Sequence, residues 1–254
     1  MNSTKHRNSR FDAVDLAPAA RPQHTPARPS SGSFSFLTNY ALLLVYVVQH
    51  PESTVRTIST GVGITERAAL SILRDLDDEG IVERQRNGRC NTYSVNFLRL
   101  AGLRRGGTAS PLTPRPFVDV VTRTLFQIAY EAGTTASATP PEPVSDDASE
   151  ARSGSWGFFT NHLLILLAIA RDSTRTVREL AITAGITERA SVAILNQLED
   201  ARIISRFREG RRNSYTIDFE AFRSFSGWSN DHWRIPDSLI DVATAGIRAL
   251  SAAK

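Results

Sequence analysis

Two clusters of arginine carry the clearest chemistry in this sequence. They comprise Arg84, Arg86 and Arg89 in the first cluster, and Arg206, Arg208, Arg211 and Arg212 in the second. In each cluster the arginines surround a short turn and alternate with other residues, which is the pattern of a β-hairpin. Guanidinium groups bind phosphate oxygens through paired hydrogen bonds, and clustered like charges repel one another unless an anion lies against them. The clusters therefore predict contact with phosphate; a merely solvated hairpin is the alternative.

A predicted helix before each cluster offers a second set of polar groups. Both helices begin within the hexapeptide Gly-Ile-Thr-Glu-Arg-Ala, which starts at Gly63 and again at Gly185. At 100° per residue the apolar side chains fall on one side of the helix. The start and outward side hold Thr65, Glu66, Arg67, Leu70, Ser71 and Arg74 in the first helix, and Thr187, Glu188, Arg189, Val192, Ala193 and Asn196 in the second. Each threonine is placed to cap its helix, where the helix dipole favours an anion. An ordinary solvated helix face is the alternative.

These features occur twice because the chain contains a tandem duplication. From Phe36 to Ile128, a shift of 122 residues aligns like residues without an insertion or a deletion. Two copies are too few for a solenoid, which needs about three repeats. The sequence predicts unit 1 at 34–133 and unit 2 at 156–254. A tail at 1–33 and a linker at 134–155, both rich in Pro, Ser and Ala, are predicted to be disordered.

Local signals assign the same elements to both units. The elements predicted for unit 1 are helices at 39–49, from Thr54 to Gly63, at 66–79 and at 117–132, and strands at 81–86 and 91–95. Asn87-Gly88 is a strong hairpin signal between the strands, and Gly63 and Gly80 are suited to end helices. The last helix has its twin at 239–253. The predicted fold class is mainly α with small β-hairpins (α+β).

Two helices joined by a turn and followed by a hairpin describe a winged helix-turn-helix. Phe-Leu-Thr-Asn before the first helix, Gly-Ile-Thr-Glu-Arg-Ala at the turn and Gly-Arg-x-Asn-x-Tyr in the hairpin resemble the small MarR-like winged-helix regulators of bacteria. The resemblance covers roughly half the chain. It implies a transcription regulator that binds double-stranded operator DNA, with the outward helix faces in the major groove and the hairpins as wings. The resemblance does not identify the operator sequence, whether the protein activates or represses transcription, or a small-molecule effector.

One departure from the family pattern supports a second interpretation. Members of the family usually carry polar residues where Leu70-Ser71 and Val192-Ala193 stand here. An exposed Leu or Val can contact a thymine methyl group, but it can equally mark a helix that packs on protein. A protein-interaction module with weak or no DNA binding is therefore the alternative function.

Composition argues against several other classes. The 254 residues carry a formal charge of +4 and one cysteine, which excludes an internal disulfide and a cysteine-cluster zinc site. Since no catalytic motif, glycine-rich phosphate loop or metal-ligand spacing occurs, we expect no enzyme activity, no cofactor and no metal. The longest apolar stretches are about eight residues, whereas a membrane span needs about 20. With no secretory signal at its start, the chain is expected in the cytoplasm.

The duplication also predicts how the units assemble. Single-unit relatives would need to dimerise to read a two-fold site, and fusion replaces that association with a covalent link. We therefore expect a monomer that forms an intrachain pseudo-dimer, with the last helices, 117–132 and 239–253, as the interface between units. A homodimer is the alternative.

Overall fold

The computed structural model describes residues 34–87, 90–102, 115–133, 157–209, 212–230 and 232–253. These residues belong to one compact body. It is mainly helical with two small antiparallel hairpins, which confirms the predicted α+β class. The predicted tail and linker lie outside the described residues, and the boundaries of the two units remain predictions. In the described ranges, helices fall short of the length and apolar content that a bilayer crossing requires.

The described helices and strands of unit 1 recur in the same order in unit 2, where a 3₁₀ turn is also described. Unit 1 contains α1 (Asn39–Gln49), α2 (Val55–Val62), α3 (Glu66–Asp78), β1 (Val82–Asn87), β2 (Cys90–Val95), α4 (Phe97–Gly102) and α5 (Arg115–Glu131). Unit 2 contains α6 (Asn161–Arg171), α7 (Val177–Ala184), α8 (Glu188–Asp200), β3 (Ile204–Glu209), β4 (Arg212–Ile217), α9 (Phe219–Arg223), a 3₁₀ turn (Ser226–Trp228) and α10 (Asp237–Ala252). The predicted bounds agree with these to within two residues. The sequence did not predict α4, α9 or the 3₁₀ turn.

Threonine side chains fix where α1, α2, α3, α7 and α8 begin. A threonine hydroxyl accepts a hydrogen bond from the backbone three residues on at Thr38, Thr54, Thr65, Thr176 and Thr187. In α7 the cap is a full capping box, because Glu179 also bonds back to the Thr176 backbone N–H at 2.7 Å. The caps satisfy N–H groups that have no partner within the helix.

Each hairpin is anchored to the loop after the first helix of its unit. The strands pair from Val82 with Val95 to Asn87 with Cys90, and from Ile204 with Ile217 to Glu209 with Arg212. The backbone N–H of Tyr93 donates to Pro51, and that of Tyr215 donates to Ser173, both at 2.9 Å. The two tyrosines are buried. They hold the hairpins against the body of each unit.

The two units contact each other through matching segments just before α1 and α6. Leu37 forms an antiparallel bridge with Phe159, its own counterpart in the repeat. Thr38 donates its backbone N–H to Phe158 O at 3.1 Å, and Thr160 donates its backbone N–H to Phe36 O at 3.0 Å. A 122-residue shift exchanges these two hydrogen bonds, so the contact is locally two-fold.

An aromatic cluster of unit 2 encloses the segment that unit 1 contributes. The Phe36 ring is fully buried, with ring centres 4.8 Å from Phe222, 5.1 Å from Trp228 and 5.4 Å from Phe225. Phe34 stacks on Phe225 at 4.5 Å. These contacts place unit 1 side chains in the core of unit 2.

The last helices form a second contact between the units. α5 and α10 pack on each other, and each also packs on the first helix of its own unit. Leu125 and Ile247, which correspond in the repeat, are buried on these helices. The contact lies where the sequence predicted it, and the bridge at Leu37 adds to it.

Candidate nucleic-acid interface

The turn before each outward helix has the same construction in both units. Gly63 and Gly185 adopt left-handed backbone conformations, with φ of 79° and 67°, that favour glycine. Ile64 and Ile186 then pack partly buried against the core. Thr65 accepts from Ala68 N, and Thr187 accepts from Ala190 N, both at 3.2 Å. These residues therefore fix where α3 and α8 begin and how each is oriented relative to the core.

The outward face of α3 is exposed where the sequence predicted it. Arg67, Ser71 and Arg74 are exposed, and Leu70 is partly buried. Thr65 and Glu66 at the start of the helix are also exposed. Ala69, Ile72, Leu73 and Leu76 are buried on the opposite side. The face thus presents two guanidinium groups and one hydroxyl about one turn apart.

The corresponding face of α8 carries less charge and more apolar surface. Arg189, Val192, Ala193 and Asn196 are exposed, as are Thr187 and Glu188. Val192 is 40% exposed, whereas its counterpart Leu70 is partly buried. This face has one guanidinium group, on Arg189, and the methyl groups of Val192 and Ala193 lie about one turn further along the helix.

The arginines of the two hairpins fall into three groups, apart from Arg206. Arg84, Arg86 and Arg208 are exposed on the strands. Arg212 lies in β4 opposite Glu209. Arg89 and Arg211 lie outside the described residues. Strand alternation places Arg206 and Arg208 on one face of their strand, so the exposed members can reach an anion beside the hairpin.

Arg206 has a second, structural set of contacts. Its Nη2 donates to Asn196 Oδ1 at 3.3 Å and lies 3.4 Å from Glu199 Oε2. Its guanidinium also lies 5.9 Å from the centre of the Tyr215 ring. The side chain is 25% exposed, so Arg206 ties β3 to α8. The unit 1 counterpart Arg84 is exposed instead, and Arg74 stands where α8 has Asn196.

A polar pair connects the first helix of each unit to the outward helix. The Tyr40 hydroxyl donates to Asp75 Oδ2 in unit 1. At the same place in unit 2, His162 Nε2 lies 2.7 Å from Gln197 Oε1. Burial and the hydrogen bond to Asp75 raise the pKa of Tyr40 to about 12. Burial lowers the pKa of His162, while the Gln197 hydrogen bond opposes that shift. Both pairs fix the orientation of the outward helix relative to the core.

Unit 2 also contacts α1 and α2 of unit 1 through the segment after its 3₁₀ turn. Asn230 Nδ2 donates to Gly61 O at 2.7 Å, close to the turn that precedes α3. Trp233 Nε1 donates to Gln49 Oε1 at 3.0 Å, and its ring packs edge-on against Tyr46 at 5.4 Å. Local sequence patterns did not predict this contact, because it depends on packing between units.

The chain was compared with protein-family models, curated proteins and solved structures, and no match was found. The resemblance to MarR-like regulators therefore depends on the quoted motifs alone. In the described part of the chain, no group of three or more His, Cys, Asp or Glu side chains could hold a metal ion.

Proposed function

We propose that this chain is a sequence-specific, double-stranded DNA-binding transcription regulator. Each unit is a winged helix-turn-helix with an extra C-terminal helix. α3 and α8 enter successive major grooves, and the two hairpins act as wings against the phosphate backbone. The two units act as an intrachain pseudo-dimer, so one chain reads two half-sites. One observation carries this proposal: in each unit an exposed helix face with a guanidinium group lies beside a hairpin with at least one exposed arginine, and the units meet in a two-fold contact.

The side chains divide into two roles under this proposal. Arg67, Arg74 and Arg189 are placed to read guanine or to contact phosphate, because a guanidinium can donate two hydrogen bonds to the O6 and N7 of a guanine. Arg84, Arg86 and Arg208 supply phosphate contacts that carry no sequence information. Arg206 is assigned mainly to holding β3 on α8, since Glu199 and Asn196 already occupy its guanidinium.

Salt dependence provides the test of the wing role. The logarithm of the binding constant falls with the logarithm of salt concentration by about 0.9 per phosphate contact. We therefore expect the double variant R86A/R208A to bind every duplex more weakly and to lower the slope by about 1.8. The matched control is R248A, which removes an arginine on α10 that pairs with Glu220 at 3.9 Å. Equal slopes for the wing variant and the wild type would refute the phosphate contacts.

Sequence preference provides the test of the helix role. Duplexes selected from fragmented bacterial genomic DNA serve as the specific probe, and a scrambled duplex serves as the control. R189A should lose about 1–3 kcal/mol of binding free energy on the selected duplex and much less on the scrambled duplex. Loss of equal size on both duplexes would reassign Arg189 to the backbone.

The alternative function has its own supporting observation. The exposed Val192 on α8 suits a protein contact as well as a thymine methyl group. A protein-interaction module would bind DNA with no preference for the selected duplex, or would not bind DNA at all. In that case V192D would abolish capture of a protein partner without changing the salt slope.

A further inference from the structure

A cavity of about 190 Å³ lies between the two units, beside the end of α2. Unit 1 contributes Phe34, Leu42 and Val62 to its wall, and unit 2 contributes residues of the segment between Gly227 and Ile235. Val62 is the last residue of α2 and directly precedes the Gly63 turn into α3. The cavity is therefore shared by both units and adjoins the turn that positions α3.

The wall of this cavity is largely apolar, although it contains two tryptophans. Trp228 Nε1 donates to Phe222 O at 2.7 Å, and Trp233 Nε1 donates to Gln49 Oε1 at 3.0 Å. Because the protein already binds both indole N–H groups, the two rings offer carbon surface to the cavity. The Phe34 ring supplies a third aromatic surface. Among the described residues, no charged side chain lines the cavity.

Polar groups lie mainly at one side of the cavity. Ser229 and Asn230 belong to the lining and are exposed, so the cavity opens to solvent on their side. The amide of Asn230 is used by the fold, since Nδ2 donates to Gly61 O at 2.7 Å and Oδ1 accepts from Trp233 N at 2.8 Å. A ligand can therefore keep one small polar group at this opening while the rest of it is buried.

Leu42 shows that the cavity leaves apolar surface uncovered. In α1, Leu42 is the one residue between Ala41 and Val48 that is only partly buried. Its counterpart in the repeat, Leu164, is buried. Burial of the exposed part of Leu42 by a ligand would remove apolar surface from water, which is favourable.

We propose that this cavity binds a small uncharged aromatic molecule, namely a single ring with one small polar substituent. An engineered cavity of about 150 Å³ binds benzene, so a cavity of about 190 Å³ accommodates a ring with one substituent. Drug-sized ligands need pockets of about 300 Å³ or more. Contacts with three aromatic rings favour an aromatic ligand over an aliphatic one. A charged group would lose its hydration without gaining a partner in this lining.

The test uses the full chain, with 4-fluorophenol as the probe and 4-fluorobenzoate as a charged control of similar size. At ten times its dissociation constant, the phenol should raise the melting temperature by about 3–6 °C, because a ligand that binds the folded state stabilises it by mass action. The assigned indole N–H resonances of Trp228 and Trp233 should shift and should saturate with the same dissociation constant. The benzoate should produce neither effect.

Two substitutions of Leu42 change the size of the cavity in opposite directions. L42F fills part of the cavity and should weaken phenol binding by about 10-fold or more. The matched control is L98F, since Leu98 is an exposed leucine on α4 that does not line the cavity, and its phenol binding should equal that of the wild type. L42A enlarges the cavity and should bind 6-fluoro-2-naphthol, which the wild type should reject. A variant that had merely lost its fold would not gain this ligand.

Three results would overturn the site. They are tryptophan resonances that fail to shift or that shift linearly without saturation, an equal response to the benzoate, and unchanged phenol binding by L42F together with no naphthol binding by L42A. Binding of the phenol does not depend on the proposed DNA-binding function, and the test contains no DNA. The site can therefore fail while the proposed function stands, and the reverse is also true.

Discussion

Replacing Phe36 with Ala should destabilise both units, although the residue belongs to unit 1 by sequence. The Phe36 ring is fully buried and lies within 5.5 Å, centre to centre, of three rings of unit 2. Truncation to Ala removes these contacts and leaves a cavity. The surrounding rings are held in place, since Trp228 Nε1 donates to Phe222 O at 2.7 Å. The cavity therefore cannot close easily, and the cost should lie in the upper part of the usual range.

Large-to-small substitutions of a buried Phe cost about 3–5 kcal/mol, and we expect about 4 kcal/mol here. For a folded body of this size each kcal/mol lowers the melting temperature by about 2–4 °C, so F36A should melt roughly 10 °C lower. Because both units lose packing at the same site, unfolding should remain a single transition. Tryptophan fluorescence and far-ultraviolet circular dichroism should give the same urea midpoint.

The matched control is F158A, which truncates the counterpart of Phe36 in unit 2. Phe158 is partly buried, and its ring packs edge-on against Phe159 at 5.1 Å. We expect F158A to cost less than F36A for that reason. A loss below about 1 kcal/mol for F36A, which is the cost of an average substitution, would refute the shared core. The shared core would also be refuted if the chain unfolded in two separate transitions and F36A shifted only one of them.

Three further predictions follow from the described contacts. T176A should cost about 1–2 kcal/mol in urea denaturation, because it removes the hydroxyl that accepts from Glu179 N and donates to the Glu179 carboxylate. T54A should cost less, because the Thr54 hydroxyl bonds to Thr57 N and to a neutral hydroxyl rather than to a charged group. G61A should destabilise by about 1–3 kcal/mol, because the new Cβ would lie 2.1 Å from the Tyr46 ring; Y46L should restore part of the loss in the double variant. Burial lowers the pKa of His162 below its ordinary 6.5, so the unfolded chain binds more protons. Stability should then fall as the pH drops from about 6.5 through the folded pKa, and H162F should flatten the urea midpoint over that window.

The elements of the fold could be predicted from sequence because their signals are local. Thr65 followed by Glu-Arg-Ala, and Gly63 before it, set the start of α3 within a few residues of chain. The short helix α9 was missed because five residues are too few to show a period. Its cap, in which Asp218 Oδ1 accepts from Glu220 N and Ala221 N, was the available signal.

The candidate site could be predicted less completely, for two physical reasons. The alternation of β3 could have assigned Arg206 to the inner face, since it pairs with the buried Tyr215. That contact depends on Asn196, which sequence alone does not place within reach of the strand. The Asn230 contact to Gly61 joins residues of different units, and local patterns carry no information about such packing.

The two units differ in the aromatic cluster that forms part of their contact, which bears on how the chain assembles. Phe222, Phe225 and Trp228 of unit 2 correspond to Leu100, Leu103 and Gly106 in unit 1. In a dimer of identical chains each surface must complement itself, so the same residue serves both sides of the axis. Fusion removes that requirement, because the two sides of the axis are now formed by different stretches of one sequence, which can change independently. The aromatic cluster that holds Phe36 is therefore a feature that one half can keep without the other, and a second copy of the chain would offer unit 1 no better partner than its own unit 2.

We accordingly expect the full chain to bind a two-half-site duplex as a monomer, with the half-site centres about 34–36 Å apart. Sedimentation of the complex that gave two chains per duplex would contradict this argument.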